Sequence, residues 1–262
     1  LLKQHLDEKI RFEQQVDNSR QYVLPFVERT KAIKPGIRVL EIGCGEGGVL
    51  APFAEKGAFC LGVDLDPLRI ELALQFFKNE VAAGNMQFLV KNVYDQDFLE
   101  THRNGFDLII LKDAIEHIPD QEKFIPYLES FLKEDGQIFF GFPPWHMPFG
   151  GHQQLAVSKL ASKLPWYHIL PRPLYRAILK AAGETEGKIG ELMEIRDTRI
   201  TIERFERIVK HNNLRVLARQ HYLINPIYRY KFGLKPRRQM ALVSMLPYLR
   251  NYLTTCVYYT VG

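Results

Sequence analysis

Two rhythms of apolar and polar positions alternate along the first half of the chain. Short apolar runs at 37–42 (IRVLEI), 58–65 (AFCLGVDL), 86–93 (MQFLVKNV), 106–113 (FDLIILKD) and 137–142 (QIFFGF) read as buried strands. Between them lie stretches of helical spacing: 48–57, closed by Gly57; 67–84, opened by Pro67 where a missing N–H costs little; and 120–136. Strands separated by helices imply right-handed crossovers and a parallel sheet covered on both faces. The expected class is α/β, a doubly wound domain.

After Pro143 the rhythm fails. Residues 144–200 are rich in proline, glycine, aromatics and histidine and contain no convincing strand, so they read as an insertion over the carboxyl ends of the strands, where loops carry specificity. Thr201 is the expected N-cap of a helix from Ile202 to Lys210, followed by a sixth strand at 214–223 and a seventh at 254–261. The expected organisation is a helical segment at 1–34, a core at 35–143, the insertion at 144–200 and a completion of the sheet at 201–262. The first residues are charged and helix-like, without the apolar core of a secretory signal. The stretch 240–261 is the most apolar late segment, but Pro247 and Arg250 interrupt it, so it falls short of the roughly 18 apolar residues a membrane span needs. A soluble protein is expected, with peripheral membrane contact left open.

The net charge of +5 hides an asymmetry. Residues 1–143 hold 16 Lys and Arg against 23 Asp and Glu, a net of −7, whereas 144–262 hold 19 against 7, a net of +12. Such a basic second part suits a phosphorylated substrate, an anionic membrane face or nucleic acid, or is simply a set of solvated helix faces. Cys44, Cys60 and Cys256 form no C-x-x-C pair, so no disulfide framework and no metal site are expected, and a cytoplasmic, reducing setting is the simplest reading.

The stretch RVLEIGCGEGG (38–48) ends a strand in a carboxylate and a glycine-rich turn. Gly43, Gly45 and Gly48 fit a dinucleotide fingerprint, and Asp64 at the end of the second strand can accept from both ribose hydroxyls. Both features suit NAD and S-adenosylmethionine alike. Glu41 separates them: its charge would repel a pyrophosphate and attract the ammonium of a methionine moiety. In the other phasing, Glu41, Gly43, Gly45 and Gly47 spell E-x-G-x-G-x-G, and here the sequence resembles the class I S-adenosylmethionine-dependent methyltransferases.

The resemblance spans about 37–142 and includes GVDLDP, FLVKNVYDQDF, FDLIILKDAIEHIPD and LKEDGQIFFGFP. It implies a Rossmann-like, seven-stranded sheet in the order 3-2-1-4-5-7-6 with the last strand antiparallel. It also implies a cofactor site built from Glu41, Gly43, Cys44, Gly45, Gly47, Asp64, Leu65, Asn92, Val93 and Lys112. Asn92 stands where the family often has Asp, yet its amide oxygen still accepts from an adenine amino group.

No N-P-P-Y type motif follows the fourth strand and no nucleic-acid module is recognisable, which argues for a small-molecule acceptor rather than nucleic acid, and the basic second part and aromatic insertion suit a polar, anionic or lipid-linked one. DAIEH is similar to the branch that includes quinone-biosynthesis enzymes. A hydroxyl acceptor needs a general base, and the candidates are His152, in PFGGHQQ, then His117 and His146. The paired glycines before His152 imply a mobile or closely packed loop. Trp145, Phe149, Trp166, Tyr167 and Tyr175 are candidate walls of an apolar site, and Arg172 and Arg176 candidate anion contacts. An NAD-dependent oxidoreductase and a non-catalytic cofactor-binding protein are the competing readings.

Overall fold

The computed structural model describes residues 7–262. The helical reading of residues 1–6 lies outside the described residues. Among the described residues eight strands form one sheet: β1 (Arg38–Ile42), β2 (Phe59–Asp64), β3 (Met86–Val90), β4 (Phe106–Lys112), β5 (Leu132–Phe142), β6 (Val216–Ile224), β7 (Arg237–Arg238) and β8 (Cys256–Val261). Their order is β3-β2-β1-β4-β5-β8-β6-β7, with β1 to β5 parallel and β8 antiparallel to both β5 and β6. The expected seven-strand order is therefore present, with β8 in the place of the seventh strand. The departure is β7, two residues that pair with Tyr222 and Ile224 and extend the edge by one strand.

Side chains alternate between two cores, as strand geometry requires. On one face Leu40, Leu61, Ile109, Phe140 and Tyr259 pack with Phe205 and Ile208 of the helix Ile202–His211. On the other, Val39, Cys60, Ile110, Phe139 and Tyr258 meet Val23, Phe26, Phe53 and Phe77. Thr201 caps its helix as expected, its hydroxyl accepting from Arg204 N at 3.1 Å.

Three helical expectations are corrected. The helix after the glycine turn covers only Ala51–Glu55. The stretch expected as one helix over 67–84 is two, Pro67–Phe76 and Lys78–Ala82, because the chain breaks at Phe77 to send its ring into the core. There it stacks on Phe88 at 5.5 Å and meets Phe12 edge-on at 5.4 Å. The helix expected to reach Gly136 ends at Tyr127, and strand pairing begins at Leu132. Long-range bonds win over local spacing there: Asn104 N and Gly105 N donate to Ser130 O and Phe131 O, and Leu132 pairs with Phe106 before the chain bulges to bring Gln137 opposite Leu108.

Residues 144–200 carry short 3-10 turns and the helices Arg172–Ala181 and Glu186–Thr198, which share a small core of their own around Tyr167, Tyr175, Leu179 and Leu192. Among the described residues no helix is long and apolar enough to cross a membrane.

Candidate active site

The turn after β1 is shaped by glycine. Gly43, Gly45 and Gly47 lie at φ of 73°, 52° and 78°, a left-handed backbone that costs other residues about 1–2 kcal/mol each. The set whose backbone conformation calls for glycine is thus 43, 45 and 47, not the dinucleotide set 43, 45 and 48. Gly48 serves packing: a Cβ there would come within 2.8 Å of Gln15 Cβ, so it lets the N-terminal helix Glu8–Asn18 lie against the turn. Gly43 N and Cys44 N donate to Val63 O at 2.8 and 3.1 Å, and Gly45 N donates to Asp64 Oδ2 at 2.8 Å, tying the turn to the end of β2.

A cavity of about 220 Å³ opens over this turn, lined by Glu41, Gly43, Cys44, Gly45 and Lys112 together with Arg11, Arg69, Asp113 and Lys231. Glu41 is 1% exposed and its Oε2 meets no donor among the described residues. Burial, reinforced by Asp64 and opposed by Lys112, holds its carboxyl well above the usual carboxylate range. Lys112 is buried and pairs with Asp113, which sits at φ 54° directly after β4.

The other expected cofactor residues are not among those lining this cavity. Asp64 reaches it through Gly45, and its Oδ1 accepts from Asp66 N at 3.0 Å. Gly47 lies in the turn with its hydrogen against the Phe88 ring. Leu65, 69% exposed, and Asn92 stand at the ends of neighbouring strands, with Asn92 Oδ1 accepting from Tyr94 N at 3.0 Å. Val93 is buried, and its carbonyl accepts from the Tyr127 hydroxyl.

Beyond Asp113, Glu116, His117 and His152 converge, offering ligand atoms that all lie within 4.8 Å of one another. His152 Nε2 is 3.9 Å from Glu116 Oε1, and the rings of His117 and His152 meet edge-on at 5.1 Å. Glu116 is buried with both oxygens unpartnered among the described residues, and burial beside Asp113 pushes its carboxyl up to about 8. Burial and the neighbouring His117 push the His152 imidazole down to about 3. The insertion holds this cluster: Thr198 Oγ1 donates to Glu116 O at 2.5 Å.

The paired glycines before His152 are closely packed. A Cβ on Gly150 would lie 2.1 Å from Trp145 O, and one on Gly151 would lie 2.5 Å from His168 Cβ. His152 itself is at φ 54°. His146 is placed elsewhere, its ring stacked on Tyr252 at 5.0 Å. Trp145, Tyr167 and Tyr175 are buried packing groups, whereas Trp166 is 39% exposed. Arg172 and Arg176 are engaged in surface ion pairs with Asp197 and Glu186. Sequence reasoning missed Arg11, Arg69, Asp113, Lys231 and Glu116. Glu116 alone carried a local signal, as a carboxylate beside a histidine just past a buried strand.

A family model described as a methyltransferase domain matches residues 13–183. The chain belongs to that family. It is 29% identical over 117 residues to the ubiquinone biosynthesis O-methyltransferase of Coxiella burnetii, covering 45% of this chain and 47% of that protein. It is 33% identical over 112 residues to the chloroplastic tocopherol O-methyltransferase of Arabidopsis thaliana, covering 42% and 30%. The chain thus spans about half the length, or less, of these curated relatives. Among solved structures, phosphoethanolamine N-methyltransferase 2 of Haemonchus contortus superposes with a TM-score of 0.59 at 15% identity, over 98% of this chain and 57% of that one. Geranyl diphosphate C-methyltransferase of Streptomyces coelicolor gives 0.57 at 12% identity, over 90% and 76%. These likenesses carry the fold.

Proposed function

We propose that this methyltransferase-family chain moves a methyl group from S-adenosylmethionine to a hydroxyl oxygen of a small, apolar acceptor. The observation that carries the proposal is the Glu116, His117 and His152 cluster beside the cavity over the glycine turn. A carboxylate and two imidazoles handle a proton, which a hydroxyl acceptor must lose as it is methylated, whereas a neutral amine can shed its proton afterwards and a carbanion has none to lose.

In this reading Glu41 faces the cofactor's ammonium, because a buried carboxylate without a donor is stabilised by a cation. The backbone of Gly43, Cys44, Gly45 and Gly47 lets the methionine part approach closely, and Lys112 and Asp113 close the far wall. Asp64 takes the ribose hydroxyls, while Leu65, Asn92 and Val93 border the adenine. The acceptor oxygen attacks the methyl carbon, the carbon–sulfur bond breaks with its electrons passing to sulfur, and the hydroxyl proton leaves through the cluster. Proximity and exclusion of water supply much of the acceleration.

Residues 144–200 are proposed as the acceptor-binding insertion. They present Val157 (73% exposed) and Leu160 (79%) near the cluster-bearing segment, which favours an apolar or lipid-linked acceptor. A second surface supports delivery from a membrane. Met240, Leu242, Met245 and Tyr248 are each 63–73% exposed, and the nearby Lys235, Arg237 and Arg238 form no ion pair among the described residues.

The test supplies methyl-labelled S-adenosylmethionine with fractionated cell extract. Label entering an apolar extract as an alkali-stable ether supports the proposal. Label confined to amines, or absent from every fraction, refutes it.

A further inference from the structure

We infer that Glu116, His117 and His152 form a site for a divalent transition metal, of which zinc is the reference ion. The inference deepens the proposed reading of the same cluster. It starts from chemistry: one carboxylate and two imidazoles are a ligand set that zinc takes in catalytic centres, where a fourth position stays open.

Three observations support it. The ligand atoms lie within 4.8 Å of one another, with His152 Nε2 and Glu116 Oε1 at 3.9 Å. Ligands about 2.1 Å from a tetrahedral ion stand roughly 3.4 Å apart, so side-chain rotation closes the remaining distance. Glu116 is 3% exposed, and neither carboxylate oxygen has a donor among the described residues. A buried, unpartnered carboxylate is costly unless a cation or a proton meets it. The scaffold also aims the ligands: His152 stands at φ 54° behind two glycines that leave no room for a side chain, and Thr198 fixes the backbone of Glu116.

The site is also open on one side. His117 is exposed and the His152 side chain is 16% exposed, so the ion would keep a position facing the insertion. A hydroxyl bound there would be ionised near neutral pH, its proton passing to solvent through the open side. With the ion bound, the three side chains would serve as ligands and the proton assigned to the cluster would leave from the ion-bound oxygen; without it, the cluster takes that proton directly. Spacing in the sequence gives no sign of this site, because its ligands come from the turn after β4 and from the insertion.

The test is zinc binding to the full chain after dialysis against a chelator, followed by competition with a chromophoric chelator. One equivalent should bind, and Glu116→Gln and His152→Ala should each weaken that equivalent at least tenfold. His146→Ala, which changes a ring stacked on Tyr252, should leave it unaltered. Folding is checked by circular dichroism and by cofactor affinity, and His117→Ala, at an exposed ring, provides a milder variant if the buried changes unfold the chain. Zinc binding that is absent, or equally tight in all three cluster variants, overturns the inference. The readout is independent of methyl transfer: specific zinc binding without methylation would retain the metal site and reject the proposed activity, and methylation without specific zinc binding would do the reverse.

Discussion

Asp64 offers the sharpest test of how the glycine turn meets its cofactor, because the carboxylate is assigned two duties at once. Its Oδ2 accepts from Gly45 N at 2.8 Å and its Oδ1 from Asp66 N at 3.0 Å. Each oxygen retains a second lone-pair direction, which the proposed ribose hydroxyls would use. The backbone bonds exist with or without cofactor, so their loss lowers stability, whereas loss of the ribose bonds lowers affinity. A hydrogen bond to a charged group is worth about 1.5–3 kcal/mol. Asp64→Ala should therefore weaken S-adenosylmethionine binding by roughly tenfold to a hundredfold. It should also lower stability by about 1–2 kcal/mol, since water reaches this half-buried site and recovers part of the loss. Asp64→Asn keeps the shape but turns an N–H toward a backbone donor, so it should lose both properties in part. Calorimetric titration reads the affinity and denaturant unfolding reads the stability. If Asp64→Ala loses stability while its affinity stays within twofold of the parent, the carboxylate serves the turn alone and the ribose assignment is wrong.

Gly47→Ala should destabilise by about 2–4 kcal/mol, because its Cβ would sit 2.6 Å from Phe88 Cε1 at φ 78°. Gly36→Ala, also at positive φ but with nothing within 4 Å, should cost only about 1–2 kcal/mol in the same urea titration; equal losses would refute the close-contact argument. His221 is 4% exposed and burial pushes its imidazole down to about 4, with Arg250 and Arg219 lowering it further against Glu206 and Glu203. The unfolded chain binds this proton near 6.5, so the stability involved is complete above that pH and is lost as pH falls toward 4, about 3 kcal/mol in all. His221→Phe should flatten the stability profile in that window, and an unchanged slope there would count against the assignment. Met245→Asp combined with Leu242→Asp should reduce sedimentation with phosphatidylglycerol vesicles at least tenfold, and no binding by the parent chain would remove the membrane-delivery argument.

The parts of the fold legible in the sequence are those written by local rules. Five apolar runs gave β1 to β5, and Thr201 announced its helix, because strand burial and capping each depend on a few adjacent residues. The glycine turn was legible for the same reason: positive φ at 43, 45 and 47 leaves its mark on residue type. What escaped was set by distant contacts. Phe77 breaks its helix to reach Phe88, and Leu132 becomes strand because Phe106 is opposite it. The candidate site divides along the same line. Glu41 and the glycines were readable from one motif, but Arg11 and Lys231 reach the cavity from opposite ends of the chain. His146 and His152 stand close together in the sequence, yet the packed glycines turn only His152 toward Glu116, while His146 stacks on Tyr252.

Glu41 and Glu116 pose one physical problem twice. Both are buried acids with an oxygen that meets no donor among the described residues, on the same end of the sheet, and such groups are destabilising unless a proton or a positive partner meets them. Two of the nearby cations are already engaged, Arg11 with Glu46 and Lys112 with Asp113. In the proposed reading the partners come from ligands, an ammonium at Glu41 and a metal ion at Glu116. Since each ligand binds the folded chain alone, each should raise its stability by mass action, about 2.7 kcal/mol at a hundred times its dissociation constant. Thermal unfolding with S-adenosylhomocysteine, with zinc and with both should show two separable increments, Glu41→Gln reducing the first and Glu116→Gln the second. A cofactor increment untouched by Glu41→Gln would mean that the ammonium is held by something other than this carboxylate.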